Sequence, residues 1–329
     1  MGAPVIVCTW DAGGTALPDE TAEALTLARR LATALGSELR LVVAGRLSDG
    51  ARADAGKYGV ASIDRLCGAG LEQFGEDLTT AALAKHLQSE KPAAVVLAQT
   101  FDARVVAPRL AARLDAGVVM NCIDLATEGG ALLATVTAYG GDTRAVYRCG
   151  GAATYIFAIG ANALAAEPVG GEPELPAVRD VDADITGVKE RVRVIERAHA
   201  AEGPRLVHAQ VVVAGGRGLG TPENFRLVEE LAAALGGMAG ASRPIVDDGW
   251  AKPAQQVGLT GKITKPALYI AAGISGASQH MVGCAAAKTL VAINRDASAA
   301  IFRYARYGVV GDCVELLPEI TRAVRAKRG

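Results

Sequence analysis

Short runs of consecutive apolar residues alternate with longer amphipathic stretches through the first half of the chain. The runs lie at residues 5–8, 39–43 and 94–97, and the amphipathic stretches at residues 21–35, 77–88 and 105–114. Strands that are apolar at successive positions are covered on both faces, as parallel strands are, and the stretches repeat apolar residues with the helical period. The pattern therefore predicts right-handed βαβ units around a mainly parallel sheet.

The pattern changes in the middle of the chain. Between residues 156 and 184, prolines, paired glycines and acidic residues replace the apolar periodicity, which predicts a linker. Residues 188–195 then alternate charged with β-branched side chains, as a half-buried strand does. We therefore expect an N-terminal α/β domain at 1–188 and a second α/β domain at 189–329, and the length of the chain allows two cores.

Glycine-rich and polar segments follow the apolar runs of the second half. These runs, at residues 211–214, 268–272, 290–293 and 309–310, predict parallel strands. Polar residues at the carboxyl ends of parallel strands lie where open α/β sheets bind ligands. A doubly wound, Rossmann-like fold is therefore expected for the C-terminal domain.

The segment 215–220, Gly-Gly-Arg-Gly-Leu-Gly, leaves the first of these strands. Thr221 and Pro222 follow it in the positions of a helix N-cap and a first helical residue. A glycine-rich turn into a helix exposes backbone N–H groups, which favours an anion such as phosphate. The spacing fits neither the Gly-x-Gly-x-x-Gly nor the Walker fingerprint, so an ordinary strand–helix turn is an equal alternative.

Composition and charge exclude several classes of protein. Half of the 329 residues are hydrophobic, 21% are charged and the formal net charge is -1, which excludes a disordered chain and provides no basic field for nucleic acid. Because long apolar runs and signal-peptide features are missing, we expect a cytoplasmic protein without membrane insertion. The six widely spaced cysteines predict reduced packing residues and no metal site.

Six sequence blocks occur in order in the second half. They are 215–218 (Gly-Gly-Arg-Gly), 240–243 (Gly-Ala-Ser-Arg), 256–262 (Gln-Val-Gly-Leu-Thr-Gly-Lys), 268–277 (Leu-Tyr-Ile-Ala-Ala-Gly-Ile-Ser-Gly-Ala), 279–280 (Gln-His) and 292–296 (Ala-Ile-Asn-Arg-Asp). Together, over about residues 190–320, they resemble the FAD-binding domain of the electron transfer flavoprotein α subunit. The N-terminal half resembles the same family more loosely, through Lys91, Pro92 and residues 107–114.

The resemblance implies an FAD site built from several loops. The implied contacts are Arg217 with the phosphates; Ser242, Arg243, Val257, Gly258, Leu259 and Thr260 with the flavin ring; Ser275, Gly276, Ala277, Ser278, Gln279 and His280 with the ribityl chain, the pyrophosphate and the pyrimidine edge; and Asn294 and Asp312 with the adenosine end. Arg243, Thr260 and His280 are expected to tune the flavin. The residues alone also allow structural roles, such as helix caps at Asn294 and Asp312.

His280 carries the most specific expectation. One-electron reduction places negative charge on the N1–C2=O edge of a flavin, and a charge-assisted hydrogen bond of about 1.5–3 kcal/mol from His280 is expected to stabilise it. Loss of that bond in His280→Ala is expected to lower the first-electron potential by roughly 60–130 mV. The chain itself is expected to need no catalytic nucleophile or acid–base pair.

The resemblance implies the α subunit of a heterodimer. Such a subunit carries FAD, takes electrons from flavin dehydrogenases such as the acyl-CoA dehydrogenases of fatty acid β-oxidation, and passes them singly to the electron transfer flavoprotein quinone oxidoreductase. The expected partner is a β subunit that binds AMP and contacts the domain at 1–188.

Two alternatives stay open. One is an electron-bifurcating flavoprotein with a second FAD in the β subunit, and the other is a nucleotide-binding sensor or assembly subunit without electron transfer. Leu259 stands in the usual place of a glutamine, and the segments 137–141 and 297–300 also depart from the family pattern.

Overall fold

The computed structural model describes residues 2–10, 12–138, 143–161, 163–171, 173–192, 194–195 and 206–328. These residues form two compact units, one built from residues 2–138 and 144–195 and one built on residues 206–328. The predicted α/β class is confirmed, since each unit contains a mainly parallel sheet with flanking helices. No helix within the described residues is long and apolar enough to cross a membrane.

The N-terminal unit is built on one nine-stranded sheet. Its strands are β1 (Val5–Thr9), β2 (Leu39–Ala44), β3 (Ser62–Cys67), β4 (Ala94–Ala98), β5 (Gly117–Glu128), β6 (Ala131–Ala138), β7 (Thr143–Arg148), β8 (Tyr155–Ile159) and β9 (Ala177–Asp182). Its helices are α1 (Asp19–Leu35), α2 (Asp49–Lys57), α3 (Glu76–Glu90) and α4 (Phe101–Leu114). The strand order is β7-β6-β5-β8-β4-β1-β2-β3-β9. Neighbouring strands are parallel from β5 across to β9, whereas β5 and β6 are antiparallel.

Small and branched apolar residues hold this unit together. The side chains of β1 are buried, and α1 packs Leu27 and Leu31 into the core on one face of the sheet. Helix α1 is followed by Gly36, whose φ of 60° is the left-handed conformation that glycine adopts freely. The strands and helices predicted in this half are confirmed, with small differences at their ends.

The predicted linker at 156–184 is right only in its middle, where the described residues of 160–176 form no helix or strand, and wrong at both ends. Most of β8 lies at its start, and β9 joins the edge of the sheet parallel to β3. Strand β9 is mostly exposed, so its hydrophobicity gives no signal. Backbone pairing with β3 along its whole length holds β9 in place, and charge pairs across the two strands add to it. Arg179 Nε lies 2.8 Å from Asp64 Oδ1. Arg65 Nε lies 2.8 Å from Asp180 Oδ1 in the same way.

The strand predicted at 188–195 is also wrong for the described residues of that segment. The Glu190 carboxylate accepts hydrogen bonds from the backbone N–H groups of Asp77 and Leu78 at the start of α3. Arg191 binds the Asp77 carboxylate beside it. A carboxylate at a helix N-terminus satisfies free N–H groups and meets the positive end of the helix dipole. The described residues up to 195 therefore lie with the N-terminal unit, beyond the predicted domain boundary.

The C-terminal unit has a five-stranded parallel sheet. Its strands are β10 (Val211–Gly215), β11 (Met238–Ala241), β12 (Leu268–Ala272), β13 (Thr289–Asn294) and β14 (Tyr307–Val310). Its helices are α5 (Phe225–Ala234), α6 (Arg243–Asp247), α7 (Ser278–Met281) and α8 (Cys313–Arg328). The strand order is β11-β10-β12-β13-β14. All four strands predicted here are confirmed, whereas β11, with the sequence Met-Ala-Gly-Ala, carries too weak a signal to be predicted.

Two predicted helix caps have different outcomes. Thr221 stands at the N-cap of a short 3₁₀ turn, but its side chain makes no capping hydrogen bond, and α5 begins only at Phe225. Asp312 does cap α8, because its Oδ1 accepts a hydrogen bond of 2.8 Å from the N–H of Val314. Of the altered segment 137–141, residues 139–141 lie outside the described residues.

Candidate functional site

A cleft of about 900 Å³ lies at the carboxyl ends of β10–β13. The chain runs from β10 to β11 on one side and later continues with β12 on the other side of β10. Such a reversal of strand order leaves a crevice, and open α/β sheets bind ligands there. The volume is in the range of sites for small-molecule cofactors.

All but three of the predicted contacts line this cleft. They are Arg217, Ser242, Arg243, Val257, Gly258, Leu259, Thr260, Ser275, Ala277, Gln279, His280 and Asn294. Loops that follow four different strands thus bring together residues that are up to 77 positions apart in the sequence.

The three other predicted contacts, Gly276, Ser278 and Asp312, are not among the lining residues. Gly276 has a φ of 84°, and a Cβ there would lie 2.2 Å from the backbone nitrogen of Ile301, so packing requires this glycine. Asp312 caps α8 with one carboxylate oxygen and accepts a hydrogen bond of 3.2 Å from Arg295 with the other.

Other lining residues were missing from the prediction. They are Gly218, Pro244, Gln256, Gly273, Ile274, Asp296, Ser298, Ala299 and Ala300. Several of them belong to the six sequence blocks, so the motif already contained their signal. Residues 298–300 lie in a segment that departs from the family pattern, and the hydrogen bond from the Ile301 N–H to the Ser275 carbonyl ties it to the cleft.

Two glycine turns meet beside the cleft, one after β10 and one after β12. The N–H of Gly218 donates to the carbonyl of Gly273 over 3.0 Å. A Cβ on Gly218 would lie 2.5 Å from the Cα of Gly273, so there is no space for a side chain. Gly273 itself has a φ of 65°, which favours glycine. These contacts bring the two backbones to the cleft without intervening side chains.

Two arginines line the cleft, and neighbouring aspartates orient them. Arg217 donates two hydrogen bonds to Asp248, of 2.9 and 3.1 Å. Arg243, the first residue of α6, donates one of 3.2 Å to Asp247. Both guanidinium groups stay exposed, so each can also meet an anionic group of a ligand. Ser242 beside them is buried, and its N–H donates to the Gly215 carbonyl.

The loop 256–262 forms one wall of the cleft. Its backbone is fixed by hydrogen bonds from Val257 N–H to the Ala241 carbonyl and from Leu259 N–H to the Gln279 carbonyl. The Thr260 hydroxyl accepts a hydrogen bond of 2.9 Å from the Gln256 amide. The Leu259 side chain is 55% exposed, so an apolar group lies open at this wall.

His280 is buried at the cleft and lies against the core. Its Nε2 is 3.0 Å from the Tyr269 hydroxyl, whereas its Nδ1 is buried and has no hydrogen-bond partner among the described residues. Burial lowers the pKa of His280 to about 4, against a smaller raising effect of a contact with the Val257 backbone that falls short of normal hydrogen-bond geometry. The imidazole is therefore neutral at pH 7. A neutral N–H that donates to a negatively charged flavin edge still makes a charge-assisted hydrogen bond, so the shift of roughly 60–130 mV expected for His280→Ala stays a prediction.

Asn294 holds the far side of the cleft. Its Nδ2 donates 2.9 Å to the Ile274 carbonyl, and its Oδ1 accepts 3.0 Å from the Asp296 N–H. The Asp296 carboxylate in turn accepts from the N–H and hydroxyl of Ser298. The side chain of Asn294 therefore orders the loops that line the site.

The donor set fits a large cofactor that has an anionic part and a polar ring edge. The exposed Arg217 guanidinium and the backbone beside the glycine turns suit phosphates, and the planar Arg243 guanidinium suits the face of a ring. The unpartnered Nδ1 of His280 suits a polar edge of a ring, because a buried polar atom without a partner is costly. The fold and cleft define an α/β protein of the dinucleotide-cofactor class.

Comparison with known proteins points to a single family. The model of the electron transfer flavoprotein domain matches residues 7–186, and that of the electron transfer flavoprotein FAD-binding domain matches residues 205–285. The chain is 39% identical over 336 residues to the electron transfer flavoprotein subunit alpha of Mycobacterium tuberculosis, which covers 99% of this chain and 100% of the relative.

Two further relatives are similar to this chain over most of its length. Protein FixB of Clostridium saccharobutylicum is 36% identical over 301 residues, 91% of this chain and 89% of its own. The electron transfer flavoprotein subunit alpha of Thermoanaerobacterium thermosaccharolyticum is 34% identical over 305 residues, 92% of each chain. The chain belongs to the electron transfer flavoprotein α-subunit family, and its C-terminal unit contains the FAD-binding domain. The family resemblance drawn from the six sequence blocks is thus confirmed.

Proposed function

We propose that this chain is the FAD-carrying α subunit of a heterodimeric electron carrier. It takes electrons from flavin dehydrogenases, such as acyl-CoA dehydrogenases, and delivers them singly to a membrane quinone oxidoreductase. The observation that carries this proposal is the cleft itself, where Arg243, Thr260 and His280 converge from three separate loops. A site that only holds phosphate has no use for all three.

The residues of the chain bind and orient the cofactor. Arg217 and the glycine turns would bind the phosphates, while Ser242 and Arg243 would hold the flavin ring; all of these line the cleft. Thr260 and the loop backbone would hold the N5 side, and His280 would hold the pyrimidine edge. FAD supplies the electron transfer chemistry when bound. The protein fixes its position and sets the electrostatics around it.

The proposed partner is an electron transfer flavoprotein β subunit that holds AMP. Support comes from the names of the relatives, several of which are called subunit alpha, since an α subunit implies another subunit. The N-terminal unit also has an exposed surface on β7, where Val146 and Tyr147 are both exposed. An apolar surface of this kind is available for a subunit contact.

The test is to co-express the chain with its β partner, purify the complex and count its cofactors. We expect one FAD and one AMP per heterodimer, and a flavin spectrum that changes in two one-electron stages during anaerobic reduction. Two FADs per heterodimer would support the electron-bifurcating alternative. A chain that binds a nucleotide but takes up no electrons would support the sensor or assembly alternative, and a colourless complex that FAD cannot reconstitute would contradict the proposal.

A further inference from the structure

A buried tyrosine lies directly beneath the cleft histidine. Tyr269 of β12 has no exposed surface, and its hydroxyl lies 3.0 Å from Nε2 of His280. The two rings meet edge to face, with centroids 6.2 Å apart. The hydroxyl also contacts the thiol of Cys284. This small polar group is enclosed by the apolar core on the cleft side of the sheet.

The donors and acceptors around the Tyr269 hydroxyl indicate which imidazole nitrogen carries the proton. The Cys284 thiol is placed to donate to the carbonyl of His280, over 3.7 Å. The Tyr269 hydroxyl then has one proton to donate and two acceptors in reach, the imidazole nitrogen and the sulfur. An imidazole nitrogen is the stronger acceptor, because thiol sulfur accepts only weakly. A hydroxyl that donates to Nε2 leaves the ring proton on Nδ1.

We propose that Tyr269 is a positioning residue that holds His280 in the neutral Nδ1–H form and thereby presents one fixed donor to the bound cofactor. Nδ1 is buried and makes no hydrogen bond of normal geometry among the described residues, since the Val257 backbone that acts on the ring falls short of it, so an acceptor on the cofactor completes what this donor lacks. Burial lowers the pKa of His280 to about 4, so the ring stays neutral through the physiological range. The role toward the cofactor rests on the proposed function, whereas the position of the proton does not.

Nitrogen NMR of the complete chain with ¹⁵N-labelled histidine tests the proton position. Spectra at pH 7 are recorded without FAD, and His280→Gln identifies the signals of His280. We expect Nδ1 to be protonated and Nε2 to be bare, with no charging of the ring between pH 8 and pH 5. Tyr269→Phe should give a mixture of the two neutral forms, whereas Tyr307→Phe, at an exposed position outside the cleft, should leave the His280 signals unchanged. A proton on Nε2 in the native chain, or an unchanged spectrum in Tyr269→Phe, would overturn the proposal.

The role toward the cofactor needs a second measurement. In the complex with the β subunit, Tyr269→Phe should retain FAD about three- to tenfold less tightly, the value of one neutral hydrogen bond. The equilibrium constant for uptake of the first electron should fall by a similar factor, while Tyr307→Phe leaves both unchanged. If NMR finds the Nδ1 proton but FAD retention and potential do not change in Tyr269→Phe, the cofactor does not use this donor. If the native complex binds no FAD at all, the proposed function fails while the NMR result still stands.

Discussion

At the scale of the single residue, Arg217 is the clearest cation for the phosphates. Its bidentate pairing with Asp248 orients the guanidinium but leaves it exposed to a ligand. We expect Arg217→Ala to weaken FAD binding by about tenfold, the low end for a charge-assisted hydrogen bond at an exposed site. Fluorescence titration with FAD measures this, and the difference from the native protein should shrink as salt increases.

The matched control is Arg226→Ala. Arg226 is also exposed and pairs with a carboxylate, Glu230 on α5, but it does not line the cleft. FAD affinity should stay the same in this variant. Equal losses in both variants would show that general positive charge, rather than the position of Arg217, favours the cofactor.

The buried carboxylate of Asp64 leads to a prediction about how stability depends on pH. Burial raises the pKa of Asp64, but hydrogen bonds from His86 and Arg179 outweigh this and bring it to about 2, below the ordinary 3.8. A folded-state pKa below the unfolded value contributes stability above pH 3.8, and this contribution is lost as the pH falls through about 2. Asp64→Asn should therefore cost about 2 kcal/mol in the free energy of unfolding at pH 7.

Chemical denaturation at a series of pH values measures this difference. The stability gap between Asp64→Asn and the native protein should narrow below pH 4 and close near pH 2. Asp180→Asn removes the carboxylate of an exposed pair, since Asp180 is the more exposed member of its pair with Arg65, and should cost under about 1 kcal/mol. A gap for Asp64→Asn that is independent of pH would mean that lost packing, rather than charge, destabilises the variant.

At the scale of the element, the turn after β12 depends on Gly273. An alanine there needs a φ of 65°, and its Cβ would lie 2.7 Å from the Cα of Gly218. We expect Gly273→Ala to cost about 1 kcal/mol for the backbone conformation and about 1–3 kcal/mol more for overpacking against the other turn. FAD binding should weaken as well, because the two turns would have to separate.

Gly249→Ala is the control for this prediction. Gly249 has a φ of 78°, but a Cβ there meets nothing within 4 Å. It should therefore show the conformational cost alone, about 1 kcal/mol, and leave FAD binding unchanged. Thermal unfolding and FAD titration of both variants measure the two effects. Equal costs for Gly249→Ala and Gly273→Ala would show that close approach of the turns contributes nothing.

At the scale of the whole molecule, the cleft lies entirely within residues of the C-terminal unit. A ligand that binds only the folded form stabilises it by about 2.7 kcal/mol at a concentration of a hundred times its Kd. Hydrogen exchange should therefore slow in β10, β12 and β13 when FAD is added, whereas exchange in β1 and β2 should not change. Slower exchange in both units would show that their stabilities are coupled.

Most secondary structure follows from the sequence because its signals are local. Apolar runs show which strands are covered on both faces, and Gly36 shows where α1 ends. Strand β9 is the exception. It has a mostly exposed surface, and its place at the sheet edge depends on backbone pairing and charge pairs with β3, more than a hundred positions away. A local pattern contains no information about such partners.

The features of the candidate site also separate into those that follow from the sequence and those that follow from the tertiary structure. The sequence by itself determined which loops supply it, because the six motif blocks and their glycines occur in order along the chain. Only the tertiary structure decided that residues 298–300 join the cleft, that Asp248 orients Arg217, and that His280 is neutral. Each of these depends on distant residues meeting in space, and the protonation of a histidine depends on how completely its neighbours exclude water.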